Sequence, residues 1–393
     1  MSARHDVLPT DGTSATLVGR VWDPETGGPR PVVVRGDLVH DLFPLAPTVS
    51  ALLEDEEAHR RIAATRTPAR WRLSDLLDAP DDGRRDRPRL LAPVDLQVVK
   101  ACGVTFVDSM VERVIEERCE GDPSRARAVR EALTDALGRT LDDLEPGSAE
   151  AARVKKVLVE RGLWSQYLEV GLGPHPEVFT KAPVLSSVGP GSTVGTPSFS
   201  SWNNPEPELV LVVDSRGRPR GCTLGNDVNL RDVEGRSALL LGMAKDNNAS
   251  SALGPFVRVF DDTFTLDSVR TERITLRIDG AEDGFALEGE NNLGRLSRPF
   301  ERLVAAAHGP HHQYPDGFVL YTGTLFSPTL DRDAPGAGFT HKQGDRVSIS
   351  SPRLGTLTNT VGRAEELPPW DFGIGALSSY LISQGPGGRG HHG

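Results

Sequence analysis

Two glutamates one residue apart precede an apolar run that is typical of a half-buried strand. Glu206 and Glu208 lead into Leu209-Val210-Leu211-Val212-Val213, a third carboxylate follows at Asp227, and a lysine follows at Lys245. Side chains alternate between the faces of a strand, so the two glutamates point the same way. Two like charges held that close need a cation between them. The spacing therefore indicates a metal site with a base beside it.

The third carboxylate can join the pair through a hairpin. Residues 215–219 form a turn-rich segment, and residues 221–225 can return and carry Asp227 back beside the two glutamates. Carboxylate ligation with positions left open suits Mg²⁺, with Mn²⁺ and Ca²⁺ as alternatives, whereas zinc usually recruits His or Cys. The sequence thus predicts Glu206, Glu208 and Asp227 as magnesium ligands.

The alternative for Glu-x-Glu alone is a pair of solvated strand-end charges, with Asp227 as a turn residue. Further motifs accompany the pair here, namely Phe179-Thr180-Lys181-Ala182-Pro183, Gly225-Asn226-Asp227-Val228, Arg231-Asp232, Gly254-Pro255, Tyr321-Thr322-Gly323-Thr324, Gly344-Asp345 and residues 354–361. Together they resemble the catalytic core of the fumarylacetoacetate hydrolase family across most of residues 98–362. The resemblance implies Lys245 as the base, Lys181 and Thr324 as substrate-binding residues, and an even-numbered homo-oligomer, a homodimer or homotetramer.

One departure from that family's pattern concerns the reaction. Its hydrolases usually carry a histidine and a glutamate that activate water, in Gly-x-Asn-Tyr-x-x-His-x-x-Glu. Here the segment runs from Gly103 to Glu112 with Ser109 in the place of the histidine. A serine hydroxyl is a poor base without a base beside it, which disfavours hydrolysis of a carbon–carbon bond. The chain instead resembles the family's 2-keto-3-deoxy-D-xylonate and 2-keto-3-deoxy-D-arabinonate dehydratases.

The resemblance implies metal-dependent dehydration of a 2-keto-3-deoxy-pentonate to 2,5-dioxopentanoate in pentose catabolism, through an enolate that the metal stabilises. Lys245 would take the C3 proton, which requires a pKa below the ordinary value for lysine. Glu112 is the candidate for protonating the departing C4 hydroxyl, and Ser109 or a metal-bound water is the alternative. No redox cofactor is required.

Other interpretations stay open. A hydrolase or decarboxylase of this family would act on an acylpyruvate or another 2-keto acid, and a catalytically silent relative would only bind one. Lys245 could be a solvated turn residue, and Glu112 an outward charge on a helix predicted over residues 108–118. Lys181 could pair with an acidic neighbour, and Thr324 could only shape the turn at Gly323.

Composition narrows the partners. The chain has 393 residues and a formal charge of −11, which disfavours nucleic acid because phosphate binding needs a basic surface. No apolar run approaches the length of a membrane span and no signal peptide is evident, so we expect a cytoplasmic protein without a membrane partner. Cys102, Cys119 and Cys222 are widely spaced and fit a reducing compartment. The expected partner is a small 2-keto acid.

The fold is predicted as α+β, with a mainly β catalytic domain of the fumarylacetoacetate hydrolase C-terminal type. The predicted divisions are a flexible lead-in at 1–14, a small α+β domain at 15–95, the catalytic domain at 96–384 with a helical insertion at about 108–170, and a disordered tail at 385–393. The predicted strands are 16–22, 31–35 and 38–42, and the predicted helices are 49–64, 123–138, 148–162 and 300–307. The insertion is interpreted as a lid or as a dimer-packing element.

Overall fold

A computed structural model describes residues 7–77, 84–120, 122–125, 128–129, 144–160, 162–324, 328, 330–335 and 338–385. Most of the predicted helix at 123–138, residues 78–83, and the ends at 1–6 and 386–393 lie outside the described residues. The strands are β1 Leu17–Asp23, β2 Gly28–Arg35, β3 Leu38–Asp41, β4 Ala69–Arg72, β5 Arg89–Leu91, β6 Val98–Gly103, β7 Glu177–Ala182, β8 Thr193–Thr196, β9 Asn203–Asn204, β10 Pro207–Val213, β11 Pro219–Asp227, β12 Asn229–Leu230, β13 Ser251–Val259, β14 Arg273–Asp279, β15 Ala286–Asn292, β16 Phe318–Tyr321, β17 Arg346–Ser351 and β18 Gly355–Arg363. The helices are α1 Val49–Leu53, α2 Ala58–Ala64, α3 Leu73–Leu77, α4 Val107–Cys119, α5 Ala149–Glu160, α6 Gln166–Leu172, α7 Arg231–Glu234, α8 Leu241–Lys245, α9 Phe300–Ala307 and α10 Ile374–Gln384.

A large mixed sheet runs through the molecule in the order β4-β3-β2-β1-β13-β11-β10-β16-β6-β7, and β5 pairs with β1. A smaller sheet has the order β15-β14-β17-β18-β8. Most pairs are antiparallel, while β16 with β6 and β18 with β8 are parallel. These sheets and helices form the predicted α+β fold.

The strand that follows the glutamates is buried on both faces. Leu209 and Leu211 pack into the core between the two sheets, and Val210 and Val212 pack into a second core beneath α1. The prediction of a half-buried strand was therefore wrong, because helices cover the face that was expected to meet solvent. A strand enclosed on both sides is apolar at every position, which is what this run shows.

The N-terminal strands share the large sheet with the catalytic strands. Backbone pairing joins Leu17 to Arg258 and Val18 to Val257, so β1 lies beside β13. The predicted domain boundary at residue 95 therefore lies between segments of one continuous sheet. The division into two separate domains stays a prediction.

Several local predictions can be compared directly with the structure. The helix at 300–307 is confirmed, and α5 begins after Ser148, whose Oγ accepts the N–H of Ala151. The helix expected over 49–64 is two helices instead. The chain turns between them because the Asp55 carboxylate accepts the backbone N–H of Glu57.

The helical insertion has a small core of its own. Met110, Val114 and Ile115 of α4 pack against Leu158 of α5 and Leu168 of α6. The predicted apolar stripe on α4 is thus the inner face of a helical cluster, while Arg113 and Glu116 of α4 form ion pairs with α7 and Arg113 also reaches Glu206. In the described part of the chain, no helix has the length and apolar character needed to cross a bilayer.

Candidate metal centre

The hairpin brings the predicted carboxylates together. Oxygen atoms of Glu206, Glu208 and Asp227 lie within 4.8 Å of one another, and all of these side chains are buried. Strands β10 and β11 pair with Glu208 opposite Gly225, and the N–H of Asp227 donates to the backbone oxygen of Glu206 at 3.0 Å. The antiparallel register therefore sets the spacing of the triad, as the turn at 215–219 predicted.

The electrostatics of the triad favour a bound cation. Burial, followed by the charges of Asp227 and Glu206, raises the pKa of Glu208 well above its ordinary value. Burial also acts to raise the pKa of Asp227, but Lys181 and Lys245 outweigh it and the pKa falls. A buried set of oxygen donors that repel one another fits a hard divalent cation such as Mg²⁺.

Among the residues that the structure describes around the triad, carboxylates outnumber cations, which supports the same fit. The acidic side chains of this network are Glu112, Glu116, Glu177, Glu206, Glu208, Asp227 and Glu234, and the basic ones are Arg113, Lys181, Arg231 and Lys245. Buried charge without a counter-charge is costly, so a divalent cation at the triad would stabilise the cluster.

Lys245 ends α8 beside two of the triad carboxylates. Its Nζ donates to Glu206 Oε2 at 2.6 Å and to Asp227 Oδ2 at 3.1 Å. Burial acts to lower its pKa, but the charges of Asp227, Glu206 and Glu234 outweigh burial and raise the pKa above the ordinary value for lysine. The expected lowering supposed a dication nearby and stays a prediction, because the ammonium here lies directly against the triad carboxylates. A dication on the same carboxylates would oppose that effect and lower the pKa of Lys245.

Lys181 lies beneath the triad with no exposed surface. Its Nζ is 3.0 Å from Asp227 Oδ1 and donates to the backbone oxygens of Val228, at 3.0 Å, and of Lys245, and to Ser250 Oγ at 3.2 Å. The ammonium thereby holds Asp227 and the backbone next to the base. Its predicted contact with substrate stays a prediction, and this burial favours the alternative of an acidic partner.

The structure places Glu112 and Ser109 on α4 with partners other than the triad. Glu112 Oε2 is 3.5 Å from Arg231 Nη2, and its side chain is 19% exposed. Ser109 Oγ donates to the backbone oxygen of Phe106 at 2.8 Å and accepts the Phe106 N–H at 3.3 Å. These bonds close the first turn of α4. Their catalytic roles stay predictions.

Thr324 is buried directly after the turn that contacts the triad. The N–H of Gly323 donates to Glu208 Oε2 at 2.6 Å, and Gly323 has φ of +93°, a conformation that favours glycine. The Thr322–Gly323–Thr324 segment therefore fixes one carboxylate of the triad through its backbone. Contact between Thr324 and substrate stays a prediction.

Arg113 is a site residue that sequence reasoning missed. Its guanidinium reaches Glu206 Oε1 at 2.5 Å, Glu116 Oε2 at 2.6 Å and Glu234 Oε2 at 2.8 Å. An arginine next to Glu112 on a predicted helix gives no signal of such a role, because the face that it occupies is known only once the insertion is docked.

Glu177 is a second missed residue. It begins β7 opposite Gly103, and a side chain on Gly103 would collide with its Oε2, since the added Cβ would lie 1.9 Å away. Burial, then the charge of Glu234, raises the pKa of Glu177 to about 7, against the opposing charges of Arg113 and Lys245. A carboxyl with this pKa can exist in both protonation states near neutrality, as a general acid must. The glycine at position 103 was the available sequence signal for a close neighbour, but the strand that pairs with β6 there could not be predicted.

Known proteins resemble this chain in sequence. A family model described as "Fumarylacetoacetate (FAA) hydrolase C-terminal" matches residues 158–362. A protein of Haloferax volcanii named "Probable 2-keto-3-deoxyxylonate dehydratase" is 32% identical over 202 residues, which cover 51% of this chain and 65% of the relative. The "2-dehydro-3-deoxy-D-arabinonate dehydratase" of Saccharolobus solfataricus is 32% identical over 196 residues, which cover 49% of this chain and 61% of the relative. The chain thus matches less than two thirds of the length of these relatives.

Solved structures extend the likeness in fold. A structure described as "2-keto-3-deoxy-D-arabinonate dehydratase complexed with magnesium and 2,5-dioxopentanoate" superposes with a TM-score of 0.60 and 22% identity, covering 88% of this chain and 99% of that one. The apo form superposes with a TM-score of 0.61 over the same shares. At this identity the likeness concerns the fold.

Proposed function

The chain belongs to the fumarylacetoacetate hydrolase family, and from that premise we propose that it removes water from a 2-keto-3-deoxy-pentonate to give 2,5-dioxopentanoate. The names of the curated relatives support this substrate class. The observation that carries the proposal is Lys245, a buried lysine in contact with two carboxylates of a site suited to a divalent cation.

Glu206, Glu208 and Asp227 are the residues that would hold the cation. Mg²⁺ bound there would supply Lewis-acid stabilisation of the negative charge that develops on the C2 oxygen of a 2-keto acid. The neighbouring solved structure, described with magnesium and 2,5-dioxopentanoate, supports this choice of metal.

The remaining steps use the chain's own groups. Lys245 takes a proton from C3, and the electron pair of that C–H bond moves toward the C2 oxygen and returns to form the C3–C4 double bond when the C4–O bond breaks. The departing hydroxyl takes a proton and leaves as water. The unsaturated alcohol then loses a proton from C5 and gains one at C3, and the resulting enol transfers its hydroxyl proton to C4 to give the aldehyde. One water is thus lost without any change in oxidation state overall.

Glu177 is our candidate for protonating the departing hydroxyl, ahead of Glu112. Its pKa of about 7 lies nearer to neutrality than the ordinary value for glutamate, and Lys245 and Glu206 contribute to that pKa. Glu112 is instead paired with Arg231. Two titratable groups with different environments, Lys245 and Glu177, would then serve as base and acid.

The proposal is tested by incubating the protein with Mg²⁺ and racemic 2-keto-3-deoxy-pentonate and identifying products by mass spectrometry and NMR. Loss of one water with appearance of an aldehyde is the expected result; it should slow strongly in Lys245→Met and cease on chelation. Pyruvate with a two-carbon aldehyde would indicate carbon–carbon cleavage and contradict the proposal. Absence of turnover with a panel of these acids would contradict it as well.

A further inference from the structure

The members of the triad differ in how each side chain is held. Glu208 Oε2 accepts the N–H of Gly323, and Asp227 lies against Lys181, so both are held from within the sheet. Glu206 lies between Pro205 and Pro207, just before β10 begins. Its backbone is restricted by the prolines, but its side chain needs a holder of its own.

That holder is on the helical insertion. Arg113 of α4 donates from Nη2 to Glu206 Oε1, while Lys245 donates to the other oxygen, Oε2. With both oxygens engaged, the carboxylate cannot rotate freely. The arginine is in turn fixed by Glu116 on its own helix and by Glu234 at the end of α7.

The arrangement requires the shape of a guanidinium. Arg113 contacts Glu206 through Nη2 and both Glu116 and Glu234 through Nη1, and its side chain is only 11% exposed. A lysine carries the same charge but presents it at a single atom, so it cannot reproduce this fork.

We propose that Arg113 is a positioning residue of the metal site, which orients Glu206 toward Glu208 and Asp227 and thereby makes cation affinity depend on the docked helical insertion. The inference rests on the proposed function, because it takes the triad to be a metal site. It assigns Arg113 no contact with substrate.

The sign of the effect separates orientation from charge. Electrostatics alone predicts that removing a positive charge beside the triad strengthens cation binding. Loss of orientation predicts the opposite, since partners that orient metal ligands typically contribute about 10- to 100-fold in affinity. Arg113→Lys preserves the charge and isolates geometry, and Arg113→Met removes the charge as well.

The experiment measures Mn²⁺ affinity without substrate, by the EPR signal of free Mn²⁺, on protein whose fold is verified by circular dichroism. We expect Arg113→Lys to bind Mn²⁺ at least about tenfold more weakly than the wild type. We expect Arg113→Met to bind Mn²⁺ more weakly too, although the loss of the positive charge makes the surroundings of the triad more negative. The matched control is Arg118→Lys on the same helix, where Arg118 donates to the backbone oxygen of Gly162 at 3.3 Å. This control should bind Mn²⁺ as the wild type does.

Unchanged or tighter Mn²⁺ binding in Arg113→Lys would overturn the inference, and that variant decides the matter if Arg113→Met does not fold. A wild type that binds no Mn²⁺ would instead remove the metal site and the proposed function with it. Hydrogen exchange adds a second readout. Mn²⁺ should slow exchange in α4 of the wild type and of Arg118→Lys, and slow it less in Arg113→Lys, because coupling between cation binding and helix docking is reciprocal. Equal slowing in Arg113→Lys and the wild type would count against the inference.

Discussion

The site is built from a strand half and a helix half that are held in different ways. In the strand half, Glu208 and Asp227 are spaced by the backbone register of β10 and β11. In the helix half, Arg113 and Glu112 of α4 reach the site through ion pairs with Glu206 and Arg231. Backbone pairing fixes positions by many hydrogen bonds at once, whereas ion pairs depend on a few long side chains. We therefore expect the strand half to supply the ligands and the helix half to adjust them.

The largest effect should come from the strand half. Glu208→Gln keeps the shape of the side chain but removes a ligand charge, so we expect Mg²⁺-dependent turnover to fall about a thousandfold or more, as loss of several kcal/mol of charge stabilisation implies. Product formation by NMR and Mn²⁺ affinity by EPR measure this. The exposed strand residue Glu290 provides the control Glu290→Gln. Turnover within tenfold of the wild type, or activity that persists after exhaustive chelation, would exclude the triad as the functional metal site.

The two halves also differ in how far sequence could predict them. Residue alternation and a turn, which are local properties of the chain, predicted that Glu206, Glu208 and Asp227 lie together, and the accompanying family motifs favoured this over solvated charges. Placing Arg113 required knowing how the helical insertion docks. Placing Glu177 at the site required knowing that β6 and β7 pair, although the insertion separates them along the chain. Such contacts depend on tertiary packing and carry no periodic signal.

Lys245→Met should have the second largest effect and sharpen the division between binding and chemistry. Removal of a base typically costs about 10²- to 10⁴-fold, so turnover should fall by that factor. Cation binding should persist, because the ammonium competes for the carboxylates rather than ligating the metal. Steady-state kinetics and Mn²⁺ titration of the same preparation measure both quantities. Turnover unchanged in Lys245→Met would falsify its role as the base.

A comparison of Glu177→Gln with Glu112→Gln tests whether the acid comes from a strand, through Glu177 of β7, or from the helix half, through Glu112 of α4. We expect Glu177→Gln to lower turnover about 100-fold and Glu112→Gln to lower it less than tenfold. Because Glu177 has to be protonated to act, wild-type turnover should decline as the pH rises through about 7. A bound cation would lower the pKa of Glu177 and shift this declining limb of the pH profile to lower pH. The limb should vanish in Glu177→Gln and persist in Glu112→Gln. The reverse pattern in kcat against pH would return the role to Glu112.

The same pKa has a consequence for stability. Folding raises the pKa of Glu177 from 4.5 to about 7, so the folded state holds this proton more tightly than the unfolded state. The resulting stabilisation is present in full below pH 4.5 and is lost as the pH rises through 7. Over this pH range, the free energy of unfolding of metal-free Glu177→Gln should therefore fall less than that of the metal-free wild type. Urea unfolding measures both.

The smallest effect should come from Ser109, although it occupies the position that first argued against hydrolysis. Its hydroxyl closes the first turn of α4 through Phe106, so Ser109→Ala removes hydrogen bonds within the helix half and leaves the strand half untouched. We expect a loss of about 1 kcal/mol in the free energy of unfolding and turnover within a few-fold of the wild type. Urea denaturation and kinetics under saturating Mg²⁺ measure the two effects. A fall in turnover beyond tenfold with unchanged stability would mean that this hydroxyl takes part in the chemistry, and that the helix half does more than adjust a ligand.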